Sequence, residues 1–124
     1  MKYSVDKQER HTVFTVQEGN LNSVVAPELK SEFVLLANEG VQNLIVDLSP
    51  VEYIDSSGLS SILTANRLWK DLGSFILTGE MQPNVKRLIS MSRLDSVLTI
   101  IPTVAESVDF AYMEELQRDL TKED

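Results

Sequence analysis

A carboxylate, two adjacent hydroxyls and a glycine stand together at Asp55-Ser56-Ser57-Gly58, the stretch of this chain best suited to chemistry. The apolar run Leu44-Ile45-Val46, closed by Asp47, lies upstream, and a helical pattern runs downstream to Leu72. The stretch therefore reads as a strand that ends, turns and feeds a helix. The first N–H groups of a helix have no partner inside it, and that end carries partial positive charge. A small polar side chain caps it, here Asp55 or Ser56. The same geometry receives a phosphate well. Gly58 eases a close approach of backbone. One cap leaves a serine over.

Three enzyme chemistries fail on residue inventory. A hydrolase nucleophile on a strand-to-helix turn wants Gly-x-Ser-x-Gly, and here the first glycine is missing. Its general base is missing too, because the single histidine, His11, lies in the polar stretch Lys7-Gln8-Glu9-Arg10 and reads as a solvated turn residue. A phosphate-gripping loop wants Gly-x-x-x-x-Gly-Lys-Ser/Thr, which is absent. The acids Asp47, Glu52 and Asp55 cluster in sequence, but nothing fixes their separation, and such acids ordinarily serve turns and caps. One histidine and no cysteine leave no His-rich or thiolate metal site and no disulfide. The expectation is a non-enzyme with no cofactor and no metal.

The elements that must position the turn follow from periodicity. Tyr3 and Val5, then Val13, Phe14 and Val16, predict a hairpin with one buried face. Glu18 to Ser23 reads as a loop. Pro27 suits a first helical turn, Leu29, Phe33, Leu36 and Ala37 share one face, and Gly40 marks the stop. Val41 to Leu48 contains a fully apolar strand of the kind buried in parallel sheets. Leu59, Ile62, Leu63, Leu68, Trp69 and Leu72 form the face of the helix after the turn, ended by Gly73. Phe75-Ile76-Leu77 is a second buried strand. A helix from Pro83 presents Val85, Leu88, Ile89 and Ser92, and Val97 to Ile101 is the last strand. Thr103 and Glu106 match a capping box before a final helix carrying Val104, Val108, Ala111, Tyr112 and Leu116. The charged end, Arg118 to Asp124, is expected to fray. Strands alternating with helices from Pro27 onward give an α/β class with parallel crossovers, and the hairpin makes the sheet mixed.

A chain of 124 residues supports one domain with a usable core. The net charge of −8 disfavours nucleic acid and anionic membrane, which want clustered Lys and Arg. Lys86, Arg87 and Arg93 are the one basic grouping, and it is small. The N-terminal residues lack the apolar run of a signal peptide, and no stretch approaches the roughly 20 apolar residues of a spanning helix. The expected location is the cytoplasm.

Asp55-Ser56-Ser57-Gly58-Leu59, followed by Pro83-Asn84-Val85-Lys86-Arg87-Leu88 and Met91-Ser92-Arg93-Leu94, resembles the STAS domain, and most of all the stand-alone bacterial anti-sigma factor antagonists. The Gly19-Asn20-Leu21 loop also matches. The resemblance covers residues 3 to 115, about the whole core of a single domain, with 116–124 as a charged helical extension that either simply continues the helix or pairs with a second subunit. It implies a mixed, mostly parallel sheet with about four helices packed mainly on one side. It implies a mechanism as well: the unmodified antagonist binds an anti-sigma factor that is a serine kinase, which frees the sigma factor. Phosphorylation of the serine before the glycine, here Ser57, reverses the binding, and a PP2C-type phosphatase restores it. Spacing alone would allow Ser56. The surface implied for the partner is Leu21, Asn22, Asp55, Ser56, Ser57, Gly58, Leu59 and Ser60. Many relatives carry an acid where this chain has Asn22, a departure that leaves binding open and weighs against the phosphate step. The alternative is a stand-alone STAS subunit of an ABC-type membrane transporter, docked on its ATPase with no phosphate cycle.

Overall fold

The computed structural model describes residues 1–122. β1 (Tyr3–Lys7) and β2 (Thr12–Val16) form the expected antiparallel hairpin, with Val5 opposite Phe14. β4 (Asn43–Asp47) and β6 (Ser74–Thr78) lie parallel to β2, and β7 (Thr99–Ile101) closes the sheet in the order β1-β2-β4-β6-β7. β4 and β6 sit in the middle, which is why they read as continuous apolar runs. α1 (Ala26–Asn38), α2 (Ser56–Trp69) and α3 (Pro83–Met91) cover one face, and α4 (Val104–Lys122) covers the other. The architecture is the expected one: α/β, a mixed and mostly parallel sheet, four helices, three of them on one side.

Alternation along each strand assigns the two cores. Phe14, Leu44, Val46, Phe75 and Leu77 point to the three-helix side. There they meet Leu29 and Phe33 of α1, Leu59, Ile62 and Trp69 of α2, and Val85 and Ile89 of α3. Phe33 packs between Phe14 and Phe75, with centroids 5.5 and 6.1 Å away. Trp69 is buried, and its indole N–H donates to the Val41 carbonyl at 3.0 Å, as a buried indole requires. Ile45 and Ile76 point the other way, against Ala111 and Val108 of α4.

Helix ends follow local chemistry. Gly40 has φ +89° and closes α1, with Val41 N–H donating back to the Leu36 carbonyl, the bond pattern of a left-handed C-terminal cap. The Thr103 hydroxyl accepts from Glu106 N–H at 3.1 Å and donates to the Glu106 carboxylate at 2.9 Å.

Several expectations are corrected. Glu18 to Ser23 is not all loop: β3 (Asn20–Leu21) pairs in parallel with β5 (Tyr53–Ile54), apart from the main sheet. Leu72 and Leu116 are exposed, because α2 ends at Trp69 and the end of α4 presents its apolar side outward. Ser92 is exposed beyond the end of α3. Val97 lies outside the strand, since a 3-10 turn at Leu94–Ser96 delays β7 to Thr99. His11 is no free turn residue: its Nδ1 lies 2.8 Å from the Tyr112 hydroxyl. The expected helical extension is present from Leu116 to Lys122, and Glu123 and Asp124, the end of the stretch expected to fray, lie outside the described residues. No helix among the described residues is long and apolar enough to cross a membrane.

Candidate functional site

The serine turn hangs between two non-local supports. β5 is fixed on one side by β3: Glu52 and Tyr53 N–H donate to the Gly19 carbonyl at 2.8 and 3.0 Å, and Asp55 N–H donates to the Leu21 carbonyl at 3.2 Å. From the other side, the Asn84 side-chain oxygen on α3 accepts from Ile54 N–H at 3.0 Å. Asp55, in extended backbone, then caps α2. Its Oδ1 accepts from Gly58 N–H at 2.9 Å, and its Oδ2 accepts from Ser23 N–H at 3.3 Å. Of the two caps the spacing allowed, the carboxylate is the one used, and Ser56 and Ser57 are left over.

Gly58 is required by contact and not by backbone angle. A Cβ there would sit 2.2 Å from the Leu21 carbonyl oxygen and 2.9 Å from an Ile54 side-chain carbon. The first turn of α2 thus rests directly on β3. The Ser61 hydroxyl, buried, donates to the Gly58 carbonyl at 2.6 Å.

The surface that results is small and polar. Ser56 and Ser60 are exposed, Ser57 is half-buried, and all three line a crevice of about 320 Å³ together with Ser23 and Lys30 from the α1 side. Asn22 is half-buried, and its side-chain oxygen accepts from Val24 and Val25 N–H at 3.0 and 3.3 Å, which shapes the entry to α1. Leu21, Gly58 and Leu59 are buried. They lie beneath the exposed serines and hold them in place. Sequence reasoning missed Ser23, brought to the turn by β3 and its bond to Asp55, and Lys30, brought there by α1. It also missed Val24 and Tyr53, 83% and 60% exposed beside the turn, whose apolar side chains at surface positions were the available signal.

The acids do not converge. Asp47 accepts from Ser49 N–H and its hydroxyl at 2.9 and 2.6 Å, Glu52 is exposed, and Asp55 is committed to its cap. No group of three or more metal-ligating side chains gathers among the described residues. A larger, more apolar cleft of about 570 Å³ lies between α3 and β7, lined by Met81, Ile89 and Ile100, and contains none of the expected site residues.

The profile of the STAS domain matches residues 2–107. The chain is 25% identical over 100 residues to BtrV of Bordetella bronchiseptica, named as an anti-sigma factor antagonist; the match covers 81% of this chain and 85% of that one. It is 31% identical over 81 residues to a Thermotoga maritima protein named likewise, covering 65% and 67% of the two chains. Among solved structures, an anti-sigma factor antagonist from Mycobacterium paratuberculosis superposes with a TM-score of 0.81 at 22% identity, covering 90% of this chain and 93% of that one.

Proposed function

The chain belongs to the STAS domain family, and on that premise we propose that it is an anti-sigma factor antagonist that works by partner switching. In its unmodified form it docks on an anti-sigma factor through Ser56, Ser57, Ser60 and their surroundings, and the sigma factor is released. The anti-sigma factor is a serine kinase in this reading. It moves the γ-phosphoryl group of ATP to the Ser57 oxygen; the hydroxyl proton leaves, ADP is released, and the complex parts. A PP2C-type phosphatase hydrolyses the ester and resets the cycle. The chain itself catalyses nothing and acts in the cytoplasm.

The observation that supports this reading best is the state of the hydroxyls. Asp55 already serves the helix end, so Ser57 is not consumed by capping, yet it stands at the surface in the first turn of α2. Phosphorylation there brings roughly −1.5 to −2 charges. They meet favourable free N–H groups within the fold and repel the acids of a docked partner. SpoIIAA, a structural neighbour at 19–20% identity, is known in both an unphosphorylated and a phosphorylated form, which supports the same cycle here.

The test is to incubate the protein with ATP and a lysate of its own organism, map phosphate by mass spectrometry, and identify what the unmodified protein captures. Phosphate on Ser57 and capture of an anti-sigma factor are expected. Capture of a transporter ATPase and its permease with Ser57 unmodified would instead establish the transporter-subunit alternative.

A further inference from the structure

One cationic residue, Lys30, lines the crevice beside Ser57. Ser23, Pro27 and Lys30 form its α1 wall, and Ser56, Ser57 and Ser60 form its α2 wall. Lys30 is half-buried there. The ion pairs among the described residues use Met1, Lys7 and Arg10, and none uses Lys30. Asp55, the acid nearest in sequence to the serines, accepts from Gly58 and Ser23 and puts a fixed negative charge beside the crevice. A phosphate on Ser57 would therefore enter a crevice lined by three further serines and by Lys30, which makes no ion pair among the described residues, with the Asp55 carboxylate close by in the chain.

We propose that Lys30 is the built-in counter-ion of a phosphate carried on Ser57. This rests on Ser57 being the modified serine. The pairing gives the switch a second component besides added negative charge. Unmodified, the surface offers the Lys30 ammonium to a carboxylate of the partner. Phosphorylated, the ammonium is held by the ester in its own chain, so the partner loses an attractive contact at the moment it gains a repulsive one. An opposite charge close to an ionisable group favours its charged form. Lys30 should thus lower the second pKa of the phosphoserine, by an amount reduced from the buried-pair range because the crevice is open to water.

The experiment needs no kinase. Phosphoserine is installed at position 57 of the full chain by genetic encoding, and its 31P resonance is titrated from pH 4 to 8 in three proteins: the otherwise unchanged chain, K30Q and K30R, each checked for folding by its amide spectrum. The expected result is a midpoint about half a unit higher in K30Q, with K30R restoring the lower value. Equal midpoints in all three, or a K30R midpoint matching K30Q, overturn the pairing. The outcome is separable from that of partner switching. If the midpoint shift appears while no anti-sigma factor is captured, the pairing stands and the switching reading fails. If capture and release occur with equal midpoints, only the pairing fails.

Discussion

A methyl group on residue 58 would lie 2.2 Å from the Leu21 carbonyl oxygen, and that oxygen is backbone, itself bonded to Asp55 N–H. The clash cannot be relieved by a rotamer change. Gly58→Ala is therefore expected to cost about 2 kcal/mol or more, in the range of overpacked interiors, read as a lower urea midpoint by Trp69 fluorescence. Asp55→Ala removes the acceptor of both Gly58 and Ser23 N–H. It should cost about 1–2 kcal/mol on the same assay, and Asp55→Asn less, because an amide oxygen still accepts. The site was legible here to a definite depth. Spacing named the cap as Asp55 or Ser56 and flagged a surplus hydroxyl. It did not decide between them; the structure shows the Asp55 carboxylate as the cap, held also by Ser23 N–H, 32 residues away in the chain. The residue pattern placed Leu59 on the apolar face of α2 and gave Gly58 a close backbone approach, and both are buried as that reading requires.

Elements with strong periodicity or a local cap matched their reading, and those held by distant contacts did not. α1, α2, β4 and β6 carry enough apolar residues in register to be seen alone. β3 and β5 are two residues each and exist only because they pair with one another, so no local pattern could show them. The end of α4 is the clearest case. Its apolar residues Met113, Leu116 and Leu120 are exposed, and the side turned to the protein is polar. Arg118 donates to Ser74 and Asn43 at 3.3 Å each, Ser74 donates to Glu114 at 2.6 Å, Arg10 pairs with Glu115 at 3.1 Å, and the Arg10 guanidinium lies 5.0 Å from the centre of the Tyr112 ring. Charge there suggested fraying, whereas these contacts tie the helix to the starts of β4 and β6 and to the turn between β1 and β2. Amide exchange should accordingly show protection extending through Arg118. Arg118→Ala should abolish it over the last turns and lower stability by about 1 kcal/mol, the scale of a partly exposed charged hydrogen-bond pair. Rapid exchange from Leu116 onward in the unaltered protein would refute the fastening.

The whole molecule separates what must stay rigid from what must change. The main core lies between the sheet and α1, α2 and α3, a second smaller one lies beneath α4, and Trp69 sits at the far end of α2 from the serines. The serine turn contributes its buried layer to that core, while Ser56, Ser57 and Ser60 stay outside it. A charge added at Ser57, half-buried at the rim of the Lys30 crevice, therefore faces water and polar side chains more than the apolar core. Exposed substitutions away from packing usually change stability by less than about 0.5 kcal/mol. Ser57→Asp should leave the urea midpoint within that margin, with the Trp69 signal unaltered. The same change at the centre of a docked interface should weaken the complex at least tenfold, equivalent to about 1.4 kcal/mol. Calorimetry with the captured partner, run beside the urea titration, reads both quantities on one preparation. A variant that unfolds early would mean the turn is part of the core. A variant that folds normally and binds as tightly as the unaltered chain would mean that the surface around Ser57 is not where the partner docks.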